Sequence, residues 1–204
     1  MRKRKAIINS TINIIAAVFT LIPSLIIRNI FLNTLGEDLL GLNSLYSNII
    51  GWLSIFELGV GTAIIFSLYK PFAENNRKKI RAYISFYKKF YRNVGIIILV
   101  IGILITPFLH IFIKGNINSI LAQVGFILFL LNTFITYIFS SKLCILNVAQ
   151  ESYKVTIGTT ISKFATVLIQ IVLLKIYPNF IIYCLIFIYM LLIGIKTIMC
   201  TSTR

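Results

Sequence analysis

The sequence predicts an all-α, polytopic membrane protein: six transmembrane helices in one bundle, with a basic amphipathic helix at the membrane surface. Three observations predict it. Of 204 residues, 58% are hydrophobic and only 12% are charged, where a soluble domain is about 45–50% apolar and about 25% charged. The mean hydropathy is +0.94. The apolar residues collect in six runs close to the roughly 20 residues that a bilayer-spanning helix needs, and the basic residues collect between the runs.

The first helix is expected over about 6–31. It follows the basic tail Arg2-Lys3-Arg4-Lys5 and carries no charge before Arg28. That layout resembles a signal peptide, but the apolar run is too long and no small-x-small cleavage site follows, so it reads as a retained helix. The second run covers about 39–69, with Glu57 in its middle, and the third 93–113. The fourth covers 118–140, the fifth 155–174 interrupted by Lys163, and the sixth 178–198 with Lys196 near its end. Isoleucine is abundant and would favour strands in water. In lipid the backbone must satisfy its own hydrogen bonds, so long continuous apolar runs read as helices. A transmembrane barrel would instead need alternating segments of about ten residues.

The strongest non-membrane segment is 70–92. Pro71 and Asn75-Asn76 break the preceding helix. Ile80, Tyr83, Ile84, Tyr87 and Tyr91 then recur at helical spacing with basic residues between them, the pattern of an amphipathic helix over 77–92 lying at the membrane surface. No Pro/Gly/Ser linker divides the chain, which reads as one transmembrane domain over 1–204.

The formal net charge is +15. Its distribution between apolar runs marks orientation signals and contacts with anionic lipid. Nucleic-acid binding would need a folded basic face with groove-reading elements, and none is visible. The basic tail, the eight Lys and Arg of 70–92, and Lys142 with Lys154 all fall on one side of a six-helix topology. The positive-inside rule makes that side cytoplasmic, with both termini inside. Cys144, Cys184 and Cys200 lack metal-ligand or redox spacing, and a single His110 makes no His-rich site. No zinc-protease, nucleophile-elbow, P-loop or paired-carboxylate motif is present. Neither a catalytic residue, nor a metal, nor a cofactor is expected.

Ionisable groups inside a membrane are costly and persist where they face a cavity or a partner. Three stand out. Glu57 reads either as a cavity-facing acid or as one half of a packing ion pair. Arg28 reads as a phosphate ligand or as a side chain snorkelling to the headgroups. Lys163 reads as a cation lining a hydrophilic cavity, or as an ion-pair partner, possibly of Glu57. Polar residues add to these: Asn9 and Asn13, and Ser44 and Asn48, each pair on one helical face; Asn132 and Gln170; and Gln150 before the fifth helix. Such faces suit a wetted cavity or interhelical bonds. Gly59, Gly61 and Ala63 form a small-residue face that admits another helix.

Several strings carry a family resemblance. Gly41-Leu42-Asn43-Ser44-Leu45-Tyr46, Phe56-Glu57-Leu58-Gly59-Val60-Gly61-Thr62-Ala63, Ser67-Leu68-Tyr69-Lys70-Pro71 and Asn147-Val148-Ala149-Gln150-Glu151 resemble polysaccharide exporters of Gram-positive bacteria. These are Wzx-type oligosaccharide flippases of the multidrug/oligosaccharidyl-lipid/polysaccharide (MOP) superfamily. The resemblance implies a bundle that works against a second bundle around a central cavity and moves an undecaprenyl-diphosphate-linked oligosaccharide across the bacterial cytoplasmic membrane. It implies a diphosphate-binding role for Arg28 and Lys163. Whole members have about twice the helices, so the chain corresponds to the N-terminal bundle and reads as a truncated copy needing a second half or a second copy. Three alternatives stay open: a small exporter of another class acting as a homodimer, a non-transporting assembly protein whose basic segment recruits a partner, and a membrane-embedded glycosyl or acyl transferase, against which the missing carboxylate and His motifs argue.

Overall fold

The structure, a computed structural model, describes residues 2–57, 59–113, 117–149 and 152–202, with no side-chain description for 2–6, 56, 141–143, 145 and 195–202. Among the described residues every regular element is helical. In chain order these are α1 (Arg2–Leu35), α2 (Glu37–Leu53), α3 (Val60–Ala73), α4 (Arg77–Ile105), α5 (Leu109–Phe112), α6 (Ser119–Val148), α7 (Ser152–Ile176) and α8 (Phe180–Ser202). Four stretches are long and apolar enough to cross a membrane: Ile7–Leu35, Arg77–Phe112, Ser119–Ser140 and Ser152–Ile176. Their exposed faces are hydrocarbon-like, with Ile14, Leu21, Leu25, Leu104 and Ile161 each at least 60% exposed. The chain is thus a membrane-embedded, all-helical protein.

Two expectations about the spans are corrected. The run over 39–69 is not one helix. As a single rod it would be about 46 Å long, well beyond a hydrocarbon core of about 30 Å. It breaks instead into α2, a 3-10 turn at Ser54–Glu57, and α3. Gly59 caps α3 at φ 79°, a left-handed conformation that a side chain would strain. The basic segment 77–92 is not a separate interfacial helix either. It is the first half of α4, continuous with the span. Asn76 caps it, its side chain accepting from the Lys79 N–H at 3.2 Å, and no breaker lies between Arg92 and Asn93, so the backbone ladder runs on. The helix bounds otherwise extend the expected runs by a few residues. The sixth run corresponds to α8, whose apolar part is described over Phe180–Gly194, shorter than a full span.

Packing fixes the arrangement. Asn9 and Asn13 of α1 meet Tyr153 and Thr156 of α7, and Phe19 meets Phe164 at 5.6 Å. The constant offset makes α1 and α7 parallel neighbours. α4 and α6 are antiparallel: Gly95 lies against Tyr137, and Gly102 lies against Leu130 so closely that a Cβ there would come within 2.3 Å of it. An aromatic knot joins the remaining helices. Phe31 and Tyr46 each contact Phe180, and Tyr46 also contacts Phe126. All four rings are 2% exposed or less. The Tyr46 hydroxyl donates to the Ala122 carbonyl, which lets a polar atom sit at the centre of this core.

Candidate functional site

Two polar centres lie on different faces of α6. Consecutive residues of that helix divide them: Tyr137 sits beside Ser54 and Glu57, whereas Thr136 lines a slot with Lys163. The two residues have different neighbours: Glu57 accepts from Tyr91, and Lys163 lines the cavities of α7 and α8, so among the described residues the possible pairing of the two is not seen.

The first centre occupies the break between α2 and α3. The 3-10 turn carries Glu57 toward α4, where its Oε1 accepts from the Tyr91 hydroxyl at 2.5 Å. Tyr91 stacks on Tyr87 with ring centroids 4.2 Å apart and lies 5.8 Å from Tyr137. Gly61 completes the fit, since a Cβ there would lie 2.1 Å from the Tyr91 hydroxyl oxygen. The three small residues thus do different things. Gly59 has open space around its Cβ position and serves backbone conformation, Gly61 serves close approach, and Ala63 is exposed. Among the described residues the partner of Glu57 is a phenol, not a cation. Sequence reading counted Tyr87 and Tyr91 as apolar positions of an amphipathic helix. Their four-residue spacing opposite an intramembrane acid was the available signal.

The second centre is a groove between α1, α7 and α8 with a volume of about 350 Å³. Its polar lining is Thr20, Ser24, Lys163, Thr166, Gln170 and Tyr183. Gln170 is 3% exposed and donates from Nε2 to the Tyr183 carbonyl at 3.4 Å, a long bond. Thr20 and Ser24, which flank Pro23, turn their hydroxyls onto carbonyls of their own helix, Ala16 and Leu21. Lys163 also lines an apolar slot of about 190 Å³ between α6, α7 and α8, with Met190 and Gly194. It stands on the ridge between the two cavities, the only Lys or Arg among the described residues that line either.

Arg28 does not share this site. The α1 lining of the groove ends at Ile27. With Phe19 level with Phe164, Arg28 lies nine residues further along α1, about 14 Å on the helix axis, and it is exposed. Asn13 binds Thr156 Oγ1, its Oδ1 accepting at 2.7 Å, while Asn9 Oδ1 accepts the Tyr153 N–H at 3.0 Å. These two asparagines join helices, and Asn9 satisfies one of the N–H groups that the start of α7 leaves without an intrahelical partner. Asn48 and Ser44 line a different recess, about 400 Å³ at the start of α2, with Glu37 and Asp38. Gln150 lies outside the described residues. Asn132 is 8% exposed, and its Oδ1 has no hydrogen-bond partner. Among the described residues no group of three or more His, Cys, Asp or Glu is placed to hold a metal ion. No family model, curated protein or solved structure matches the chain.

Proposed function

We propose that the chain is one bundle of a membrane transporter that moves an anionic, lipid-linked oligosaccharide across the bacterial cytoplasmic membrane, its basic end and both termini facing the cytoplasm. The observation that carries this reading is the groove of α1, α7 and α8. A lysine, a glutamine and four hydroxyl side chains line a cavity of about 350 Å³ in the hydrocarbon zone. An intramembrane cation is retained where water or an anion reaches it, and Lys163 is exposed in such a place. The apolar slot on the other side of Lys163 suits the lipid part of an amphiphile. The resemblance of the Glu57 and Lys70 strings to Wzx-type flippases supports the same substrate class. Alternating access requires a second bundle, either a separately encoded half or a second copy.

Binding tests this directly. The detergent-solubilised chain is titrated with an undecaprenyl-diphosphate-linked saccharide while its thermal unfolding is followed. The reading expects a rise in the unfolding midpoint that Lys163→Gln abolishes and Arg28→Gln leaves in place. An equal response in wild type and Lys163→Gln would reject it.

A second reading, a non-transporting assembly protein, rests on one feature: α4 carries Arg77, Lys78, Lys79 and Arg81 exposed beyond its apolar half. Loss of surface polysaccharide on neutralising those four residues, with the Lys163→Gln variant unaffected, favours it.

A further inference from the structure

The continuity of α4 changes what its basic residues do. A surface helix would lay them flat along the headgroups, whereas an upright helix distributes them in depth. The lipid-facing apolar band of α4 begins at Ile96 and Ile97, each 44% exposed, and continues through Val100, Ile103 and Leu104. One to two turns before it lie Arg92, Lys89 and Lys88, all exposed. At about 100° per residue these three and Arg81 fall within an arc of about 100°. Tyr87, Tyr91, Val94 and Ile98 occupy the buried face. On the flank away from the cations, Tyr83 and Phe86 are 36% and 57% exposed. Exposed aromatic rings of this kind sit at headgroup level. Two independent markers, the start of the apolar band and the aromatic pair, therefore set the depth of Lys88, Lys89 and Arg92 in the headgroup layer.

We infer that Lys88, Lys89 and Arg92 form a binding site for the phosphate of anionic phospholipids, placed where α4 leaves the hydrocarbon. Helical side chains lean toward the helix N-terminus, which here directs all three away from the hydrocarbon and toward the phosphates. α4 contains no Asp or Glu to neutralise them. Arg77, Lys78 and Lys79 are a different tier. They lie further out along the axis, Lys79 about 14 Å from Lys88 and about 20 Å from Arg92, beyond the Debye length of about 8 Å, and are too distant to hold the same headgroup. A soluble acidic protein is the natural ligand of that outer tier but not of the inner one, which it reaches only by entering the headgroup layer. The inference rests on membrane embedding alone and does not depend on the transport reading.

The test uses the full chain in nanodiscs of mixed phosphatidylcholine and phosphatidylglycerol, with bound lipid counted by native mass spectrometry after release. The expected result is an enrichment of phosphatidylglycerol of about three- to tenfold over the bulk ratio. It disappears in K88Q/K89Q/R92Q, persists in R77Q/K78Q/K79Q, which loses the same charge, and resists competition by inorganic phosphate. No enrichment, or enrichment that survives the inner-tier variant, overturns the inference. So does loss in the outer-tier variant alone, which assigns the charge to a cytoplasmic polyanion, or displacement by inorganic phosphate, which assigns it to a soluble anion. If the triple variant does not elute as a monodisperse species, R92Q alone and a salt titration of the wild type replace it, and enrichment unchanged in both is equally fatal.

Discussion

The Tyr91 hydroxyl donates to Glu57 Oε1 at 2.5 Å across the gap between the broken second span and α4. Losing that donor removes a hydrogen bond to a half-buried carboxyl group, a cost of about 0.5–1.5 kcal/mol, while Tyr137 stays beside Glu57. Tyr91→Phe is therefore expected to destabilise the chain more than Glu57→Gln, whose amide oxygen still accepts the phenol proton. Denaturant unfolding in detergent micelles, read by far-UV circular dichroism, checks the order. Equal effects, or a larger loss in Glu57→Gln, contradict it.

Gly61 and Tyr91 are coupled by shape. A methyl at Gly61 meets the Tyr91 hydroxyl oxygen at 2.1 Å, but the ring carbon behind it only at 3.3 Å. Gly61→Ala is expected to cost about 1–3 kcal/mol by overpacking. In a Tyr91→Phe background most of that cost disappears, because the clashing atom is gone. A double-mutant cycle on the same unfolding signal measures the coupling, and strict additivity refutes the contact.

The parallel pairing of α1 and α7 predicts a specific crosslink. In a cysteine-free background, Asn13→Cys with Thr156→Cys is expected to form a disulfide on mild oxidation, since the native side chains already approach to 2.7 Å. Asn13→Cys with Leu173→Cys, about 25 Å further along α7, is expected not to. Gel mobility with and without reductant separates the two, and efficient crosslinking in the second pair would show an antiparallel arrangement.

Wetting of the groove is the premise on which the role of Lys163 depends. Lys163→Cys is expected to react with a membrane-impermeant maleimide in proteoliposomes, while Ile161→Cys, at a position 64% exposed but outside that groove, faces hydrocarbon and stays unmodified. Similar labelling of both positions means that exposure at Lys163 reflects lipid contact and not water.

Much of this arrangement was legible in the sequence, and the remainder has physical reasons for being hidden. Hydropathy located every long apolar helix because the bilayer imposes its own length on each run. The same ruler carried a warning at 39–69, where the run was too long for one rod, and the glycines at 59 and 61 marked where it breaks. The basic half of α4 was read as surface-bound because amphipathic periodicity is identical in a helix lying on a membrane and in one standing out of it. Only the missing breaker at Arg92-Asn93 distinguishes them. The partners of Glu57 and Lys163 were not legible at all. Which side of α6 each residue meets depends on how helices far apart in sequence pack, and Thr136 and Tyr137 serve different centres though adjacent in the chain.

The bond from the Tyr153 amide to Asn9 joins residues 144 positions apart. During synthesis, α1 enters the bilayer long before the helix that completes it has left the ribosome. Until then Asn9 and Asn13 lack their α7 partners, and little of the helix is covered: the bundle buries 11% of its most apolar window. A chain arrested before residue 152 therefore lacks the α7 partners of Asn9 and Asn13.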